Sequence, residues 1–386
     1  MTSTRPTWAE ISRSNLVHNY GLLRRLAGPQ TEAVAVIKAN AYGHGLSECA
    51  QTLENAGAQR FGVTSVEEGV ALRRTCPEAG ILIMTGLYPG EAETAVAHRL
   101  TPVVWEATHL HWLAEAAQKR GLQSGQAPVH LEIDTGMSRQ GVAPDHIEPL
   151  LKHFGPSSAL RMEALMTHFP SPDDREATRV QQLRLIAAAD TIQRSGIRFD
   201  FLSAGSSASA LQHDSADALN GWVAQNGVRR MVRTGISLYG YSPLTAPLDP
   251  SVVLNPVLTW KTRIVSLRTI EPGTAVGYDA TFTAQRRTRL ALLPVGYGDG
   301  LNRLLSNRGS VLVRGHRAPI AGRISMDHTV VDVSEIPAVE SGDEAVLIGQ
   351  QNGERITADD LASATGTIAY EVLCAIAARV PRVVVD

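Results

Sequence analysis

Cysteine is scarce in this sequence, with three residues among 386. Cys49, Cys76 and Cys374 form an odd set, and no two of them make a CxxC pair. That spacing argues against a disulfide framework or a zinc site, so we expect no bound metal. Sparse, unpaired cysteines are typical of a reducing compartment, and the cytoplasm is the predicted location.

An excess of charge and long apolar segments are also missing. The 36 basic and 38 acidic residues leave a formal net charge of -2, which gives no reason to expect nucleic acid or an anionic membrane as a partner. No apolar run approaches the roughly 20 residues of a membrane span. Residues 1–8 lack the apolar core of a secretory signal. The 44% hydrophobic and 19% charged content predicts a soluble globular protein with a large core.

Short apolar runs alternate with amphipathic segments up to residue 243. The predicted strands are 34–40, 61–65, 81–86, 100–105, 129–134, 162–168, 199–203 and 232–238, and the helices between them include 46–56, 66–74, 108–120 and 175–195. Strand–helix repeats of this kind, about eight in all, predict right-handed crossovers and a parallel (β/α)₈ barrel. A doubly wound open sheet is disfavoured, because no GxGxxG turn follows the first strand.

The pattern changes after residue 243, where four prolines mark a linker. Predicted strands then follow closely, separated by turn residues, at 257–267, 289–295, 309–313, 329–333, 344–348 and 380–385. Helical patterning returns only over 358–378. We therefore predict two domains: a barrel over residues 1–243 and a mostly β domain over residues 244–386.

Polar residues recur at or just after the carboxyl ends of the predicted barrel strands. In chain order they are Lys38, Glu132, Asp134, Arg139, His168 and Ser206, and Arg233, Gly235 and Ile236 lie on the eighth predicted strand. Catalytic groups of a (β/α)₈ barrel lie at this end, whereas structural charges would scatter over the helix surfaces. The distribution therefore predicts a single active site within the barrel.

Lys38 is the most informative of these residues. It follows the apolar run 34–37 and precedes the segment Ala39–Gly45, with the sequence ANAYGHG. Burying a lysine at a strand end costs free energy, and such a lysine is retained when its amine reacts with an aldehyde cofactor. This stretch resembles the pyridoxal phosphate (PLP) signature of the alanine racemase family. The resemblance implies that Lys38 binds the cofactor covalently and that Tyr42 contacts its phosphate.

The same resemblance assigns roles to the other barrel residues. It implies that Arg233 faces the pyridine nitrogen of the cofactor and that His168 lies beside its ring. Ser206 and the pair Gly235–Ile236 are implied to bind the phosphate through a glycine-containing cradle. Gly205 is a departure, since the family often has asparagine there, and Ser206 or Ser207 could replace that polar contact.

Arg139 is implied to position the substrate, and Glu132 is a second departure. Many family members have at position 132 a lysine whose acquired carboxylate holds that arginine. In this sequence the residue is already a carboxylate. We hypothesise that Glu132 pairs with Arg139 and makes the modification unnecessary.

Four blocks after residue 243 carry the rest of the resemblance: Ala275–Ala280, Gly296–Gly300, Gly322–Asp327 and Ala369–Glu371. They imply that Tyr278 is a second catalytic base, acting on the cofactor of a partner subunit. Tyr297 and Met326 would line the substrate path across a dimer interface, and Tyr370 would touch the phosphate.

The sequence therefore predicts a homodimeric PLP-dependent racemase that interconverts L- and D-alanine and supplies D-alanine for peptidoglycan. Lys38 would act on the D-side and Tyr278 of the partner subunit on the L-side. Three alternatives stay open: a broad-spectrum or serine racemase of the same fold, a basic amino-acid decarboxylase of the same fold, and a non-catalytic PLP-binding protein. Amino-acid turnover separates an enzyme from a carrier, and release of carbon dioxide separates a decarboxylase from a racemase.

Overall fold

The computed structural model describes residues 5–212 and 218–386, which form two compact units. One unit comprises residues 16–41 and 46–255, and the other comprises the residues up to Asn15, residues 42–45 and residues 256–386. The domain prediction placed everything before residue 244 in the barrel. The structure instead assigns the first strand (β1, Thr7–Ser12) and the short segment 42–45 to the second unit.

The first unit is built on a closed barrel of parallel strands, which confirms the predicted fold class. Within the described residues its strands are β2 Thr31–Val36, β3 Arg60–Val63, β4 Gly80–Ile83, β5 Thr101–Val104, β6 Ala127–Glu132, β7 Leu160–Met166, β8 Phe201–Ser206 and β9 Arg229–Thr234. β2 pairs with β9 and closes the barrel. The α-helices up to residue 255 are Arg13–Ala27, Leu46–Asn55, Val66–Thr75, Glu91–Ala97, Ala107–Lys119, Glu148–Leu151, Arg175–Arg194, Ser207–Gln212 and Ala218–Asn226.

The barrel strands end close to the predicted positions but mostly sooner. Seven of the eight end one to four residues earlier than predicted. As a result Lys38 and His168 lie in the loops that follow β2 and β7, and Gly235 and Ile236 lie beyond β9. Apolar residues of these loops, such as Ile37, are buried against the end of the barrel. Their apolar character extends the pattern of the strand, so the sequence predicts strand ends that are too late.

Apolar side chains fill the barrel interior, and one charged cluster lies among them. Val34, Ala164, Phe201 and Met231 form a buried group. Near it, the carboxylate of Glu163 on β7 accepts hydrogen bonds from both Nη atoms of Arg60, at 3.1 and 3.2 Å, and from Nε2 of His130, at 3.1 Å. Arg60 begins β3, and its guanidinium covers the ring of Phe201, which begins β8.

The second unit is mostly β-structure. Its strands after β1 are β10 Leu258–Arg263, β11 Ser266–Ile270, β12 Ala275–Val276, β13 Phe282–Thr283, β14 Thr288–Leu293, β15 Ser310–Val313, β16 His316–Pro319, β17 Thr329–Asp332, β18 Glu344–Gln351, β19 Glu354–Ile356 and β20 Arg382–Val385. The main sheet has the order β16-β15-β18-β10-β1-β20, with β19 paired to β18. A second sheet has the order β11-β14-β17, and β12 and β13 form a hairpin.

Two predicted elements of this unit are each divided in the structure. The strand predicted over 257–267 is two strands in different sheets, because the chain passes from the main sheet to β14 at Ile264–Val265. The helix predicted over 358–378 is the pair Ala358–Thr365 and Ala369–Cys374, which is separated at Gly366 by a left-handed residue (φ +72°). In the described part of the chain, no helix has both the length and the apolar character to cross a bilayer.

Candidate active site

Lys38 begins a left-handed helical turn. The four residues after it, Ala39, Asn40, Ala41 and Tyr42, all have φ between 52° and 55°. For residues with a Cβ atom this conformation costs about 1–2 kcal/mol each, so the turn stores strain immediately beside the lysine. Strain of this kind persists only where surrounding contacts determine the backbone.

Hydrogen bonds to side chains hold this turn in place. The Asn40 amide N–H donates to Oε1 of Glu68 at 3.3 Å, and the other carboxylate oxygen accepts from the Thr64 amide at 2.9 Å. The side-chain oxygen of Asn40 accepts from the Leu46 amide at 2.8 Å, at the start of the next helix. The backbone conformation of the turn after Lys38 is therefore fixed by residues that are close in space but distant in sequence, as well as by its neighbours in sequence.

Arg233 is buried at the same end of the barrel, and both of its Nη atoms are hydrogen-bonded. Its Nη1 donates to the carbonyl and hydroxyl oxygens of Ser203, at 3.0 and 2.9 Å, and its Nη2 donates to the Thr167 carbonyl at 2.7 Å. Nη2 also lies 3.3 Å from Nδ1 of His168. Because the guanidinium can only donate, Nδ1 of His168 is the acceptor and the imidazole is neutral.

The electrostatics of the site agree with that assignment. Burial, followed by the positive charges of Arg233, Arg139 and Lys38, lowers the pKa of His168 to about 3. Burial also lowers the pKa of Arg233 to about 10, although Glu132 opposes the shift. At neutral pH the site therefore presents a neutral imidazole beside a protonated guanidinium.

Glu132 is buried at the end of β6, and its direct partner differs from the one hypothesised. Its carboxylate accepts a hydrogen bond from Nε2 of Gln140 at 2.5 Å, while no hydrogen bond or ion pair joins it to Arg139 within the described residues. The loop after β6 folds back so that the Val142 amide donates to the Glu132 carbonyl at 2.9 Å, which places Gln140 beside the carboxylate. Arg139 is exposed and acts on Glu132 only through its charge.

Asp134 organises this loop. Its Oδ1 accepts hydrogen bonds from the amide N–H groups of Gly136, Met137 and Ser138 at 2.9 to 3.1 Å, which shapes the turn that presents Arg139.

Burial raises the pKa of Glu132, and the Gln140 hydrogen bond and the charges of Arg233 and Arg139 oppose that shift.

The end of β8, the start of the helix Ser207–Gln212 and the segment after β9 form a cradle of small residues. Gly205 has φ +100°, and a Cβ atom there would lie 3.1 Å from Cβ of Ser209, so asparagine would be strained at this position. The buried Oγ of Ser207 accepts the amides of Gly235, at 2.8 Å, and Ser237, at 3.4 Å. Ser207 therefore joins the start of its helix to the segment after β9.

Tyr42 and Tyr370 lie close together in the second unit. Their ring centroids are 6.0 Å apart and the planes are tilted by 47°. Burial raises the pKa of both phenols, and the neighbouring Tyr370 adds to the effect on Tyr42. Both hydroxyl groups therefore keep their protons at neutral pH, and a protonated phenol is able to donate a hydrogen bond to an anion.

The other three predicted residues of this unit lie on adjacent loops and are exposed. The exposed fractions are 69% for Tyr278, 53% for Met326 and 43% for Tyr297. The Tyr297 amide donates to the Ser325 carbonyl at 3.0 Å, which joins its loop to that of Met326. Nε of Arg323 lies 3.6 Å from Oδ2 of Asp279, beside Tyr278.

Several residues that shape the site carried no recognisable sequence signal. Gln140, Ser203 and Glu68 act on Glu132, on Arg233 and on the turn after Lys38, respectively. Amides and hydroxyls are common in loops, and a glutamate in the first turn of a helix is ordinary. Their roles depend on contacts between segments that are distant in the sequence.

The barrel residues fit an aldehyde cofactor that carries a phosphate. They combine a lysine on a constrained turn, a cationic donor, a neutral imidazole and a glycine cradle that a Cβ atom would obstruct. Loops after late barrel strands bind phosphate in many enzymes of this architecture. The fold and the site thus define a barrel enzyme of the PLP-dependent class.

Comparison with known proteins identifies the family. The alanine racemase N-terminal domain matches residues 11–243, and the alanine racemase C-terminal domain matches residues 257–384. The chain is 41% identical over 382 residues to the alanine racemase of Halothermothrix orenii, covering 98% of this chain and 97% of that protein. It is 39% identical to that of Symbiobacterium thermophilum over 98% of this chain and 97% of the relative.

Solved structures agree. The alanine racemase of Streptomyces coelicolor has a TM-score of 0.88 at 33% identity, covering 99% of this chain and 98% of that one. That of Bacillus anthracis, solved with bound L-Ala-P, has a TM-score of 0.89 at 27% identity and covers 100% and 96%. The chain belongs to the alanine racemase family. Membership confirms the predictions of an enzyme and of pyridoxal phosphate as its cofactor.

Proposed function

We propose that this protein interconverts L-alanine and D-alanine by moving a proton at the substrate Cα between Lys38 and Tyr278 of a partner subunit. The observation that carries the proposal is the position of Lys38, on a strained turn at the barrel end that also holds Arg233 and His168. A lysine maintained there at a cost in free energy is best explained by chemistry at its amine.

The described residues suggest how the cofactor would be held. Lys38 would bind it through Nζ and Arg233 would face the ring nitrogen. Its phosphate would lie against Ser206, the Gly235–Ile236 backbone, Tyr42 and Tyr370. When bound, pyridoxal phosphate supplies an aldehyde that captures the substrate amine and a ring that withdraws electrons from Cα, which makes the Cα–H bond more acidic. Because a guanidinium stays protonated, Arg233 would donate to the ring nitrogen, which would then carry no proton of its own.

Racemisation requires a proton acceptor on one face of Cα and a donor on the other. We assign Nζ of Lys38 to the D-side and Oη of Tyr278 of the partner subunit to the L-side. Arg139, exposed on the loop organised by Asp134, is suited to the substrate carboxylate. His168, kept neutral, adds no charge beside the reacting centre.

Three exposed site residues in the second unit support a homodimer in which each active site uses residues from both subunits. Tyr278, Tyr297 and Met326 lie on loops that are hydrogen-bonded or ion-paired to one another, yet all three residues are exposed. A two-fold dimer would bury this surface twice and form two equivalent sites. We propose that the partner subunit contributes these residues, that the substrate is alanine and that the D-alanine serves peptidoglycan synthesis.

The test is a coupled assay of the purified protein with PLP that offers L-alanine and detects D-alanine. We expect turnover by the wild type and none by Lys38→Ala. Tyr278→Ala should lower activity on the order of 10²–10⁴-fold, the range for loss of a general base, and unequally in the two directions. Tyr88→Phe, at another exposed tyrosine (65%), is the control and should leave activity intact.

Other outcomes distinguish the alternatives. Turnover of serine or other amino acids at a rate comparable with alanine would indicate a broader racemase. Release of carbon dioxide from lysine, arginine or ornithine would indicate a decarboxylase. A PLP absorbance band without any turnover would indicate a binding protein, and full symmetric activity of Tyr278→Ala would remove Tyr278 from the mechanism.

A further inference from the structure

Asp299 is a buried carboxylate with an unusually complete set of donors. It has no exposed surface. It accepts from Nη1 and Nη2 of Arg5 at 2.5 and 2.7 Å, from Nε of Arg379 at 2.8 Å and from the Gly296 amide at 3.0 Å. These donors lower the pKa of Asp299 although burial opposes them, so the carboxylate is ionised at neutral pH. A buried charge persists only when it is paired this fully.

The partners of Asp299 connect two loops that carry exposed side chains. The Tyr297 amide donates to the Ser325 carbonyl at 3.0 Å, and the Gly298 amide donates to the Met326 carbonyl at 2.9 Å. Nη2 of Arg379 reaches across to Oδ1 of Asp327 at 2.8 Å. Arg379 therefore binds Asp299 in one loop and Asp327 in the other.

The glycines of this block reflect how closely the loops approach. A Cβ atom at Gly296 would lie 2.2 Å from the Ser325 carbonyl oxygen, and one at Gly298 would lie 2.5 Å from Nη2 of Arg379. A side chain at Gly296 would push the two loops apart, and one at Gly298 would displace the Arg379 guanidinium and lie 3.0 Å from the Met326 carbonyl oxygen. Two glycines and a buried ion cluster thus fix the backbone on which Tyr297 and Met326 stand.

We infer that Asp299, held by Arg5 and Arg379, is a positioning residue that fixes Tyr297 and Met326 as a rigid rim selecting the substrate by size. An apolar cluster would stabilise the loops at less desolvation cost, whereas directional hydrogen bonds specify one geometry. The inference rests on the proposed function, in which these two side chains line the substrate path. It assigns a role in substrate selection to three residues that do not touch the substrate: Asp299, Arg5 and Arg379.

The decisive variant is Asp299→Asn, which keeps the shape of the side chain and removes its charge. We expect KM for alanine to rise about tenfold, within the 10²-fold that a 1 Å misplacement can cost, with kcat changed less than twofold. The ratio of kcat/KM for alanine to that for serine should fall several-fold, because a loosened rim excludes the larger side chain less well.

Asp343→Asn is the matched control. Asp343 also accepts from an arginine, Arg314 Nε at 2.7 Å, and from a backbone amide, that of Glu340 at 2.8 Å, but it contacts neither loop. The Asp343→Asn variant should change the melting temperature without changing the ratio of kcat/KM for alanine to kcat/KM for serine. Arg379→Lys is a second test should Asp299→Asn fail to fold, since a lysine cannot bridge Asp299 and Asp327 in the same way. It should shift KM and the ratio in the same direction.

The outcomes separate this inference from the proposed function. A wild type that does not racemise alanine overturns both. A wild type that racemises alanine, with Asp299→Asn and Arg379→Lys altering only the melting temperature, overturns the positioning role alone. The positioning role would also be overturned if Asp343→Asn changed KM and the alanine-to-serine ratio of kcat/KM as much as Asp299→Asn does, because the effect would then follow from a general loss of stability.

Discussion

The hypothesis that Glu132 replaces a modified lysine does not require a direct ion pair with Arg139. Its carboxylate lies at the end of β6, held by Gln140, with the positive charges of Arg233 and Arg139 acting on it. The hydrogen bond from Gln140 satisfies the buried oxygen, so the charge remains available for the arginines. The negative charge of Glu132 rather than a direct ion pair would then hold Arg139 near its working position.

Glu132→Gln tests that role, because it removes the charge and keeps the size of the side chain. We expect KM for alanine to rise several-fold, since about 1 kcal/mol of charge interaction corresponds to a factor of about five, while kcat changes little. Steady-state kinetics in both directions measure the effect. Gln118→Glu on the surface of helix Ala107–Lys119 is a control for general effects of charge and should leave KM unchanged. An unchanged KM in Glu132→Gln would contradict the role.

The turn after Lys38 is the element that the sequence predicted least well. The apolar run 34–37 reads as a continuing strand, and alanine, asparagine and tyrosine give no signal for four successive left-handed residues. The conformation follows from distant contacts, among them those of Asn40 with Glu68 and Leu46. By contrast, the helices 46–56 and 175–195 were predicted to within one residue at each end, because their apolar periodicity is local.

Because this turn is strained, a substitution by glycine is expected not to lower the free energy of unfolding. Ala39 is exposed at φ +52°, where glycine has no steric penalty. Ala39→Gly should therefore leave the free energy of unfolding unchanged or raise it by up to about 1 kcal/mol, since relieved strain offsets the added entropy of the unfolded chain. Ala71→Gly, at an exposed alanine in the right-handed helix Val66–Thr75, should lower it by about 1 kcal/mol.

Urea unfolding of both variants provides the comparison. A loss of stability in Ala39→Gly as large as that in Ala71→Gly would show that the left-handed turn is not strained. Activity measured on the same samples reports whether the added freedom disturbs Lys38. We expect a lower kcat in Ala39→Gly, because the turn would hold the lysine less firmly.

At the scale of the whole molecule, function and stability occupy opposite ends of the barrel. The barrel residues of the candidate site lie at or after the carboxyl ends of their strands, whereas Arg60 and Phe201, which stack on each other, are the first residues of theirs. Alternation of strands and helices was enough to predict the barrel and the end that holds the site. The charged cluster around Glu163 was not predicted, because His130 and Glu163 lie in the middle of apolar runs and are paired only across neighbouring strands.

This cluster makes the fold sensitive to acid. Burial alone would raise the pKa of Glu163, but the His130 hydrogen bond and the charge of Arg60 lower it to about 2, from an ordinary value of 4.5. Burial lowers the pKa of His130 from 6.5. For both groups the unfolded chain binds protons more readily than the folded one, so their contributions are complete above the unfolded pKa values and decrease as the pH falls.

We therefore expect the free energy of unfolding to fall as the pH drops below about 6.5, where unfolded His130 takes up a proton, and more steeply below about 4.5, where unfolded Glu163 does. The Glu163 part amounts to roughly 3 kcal/mol by linkage.

Urea unfolding at pH 7.5, 5.5 and 4.0 measures the slope. Glu163→Gln should lower stability by about 3 kcal/mol at pH 7.5, because it removes the buried carboxylate that accepts hydrogen bonds from both Arg60 and His130, and should flatten the pH dependence. Glu93→Gln, which breaks the exposed pair with Lys119, should change neither. A slope that is the same in Glu163→Gln and in the wild type would assign the acid sensitivity to other groups.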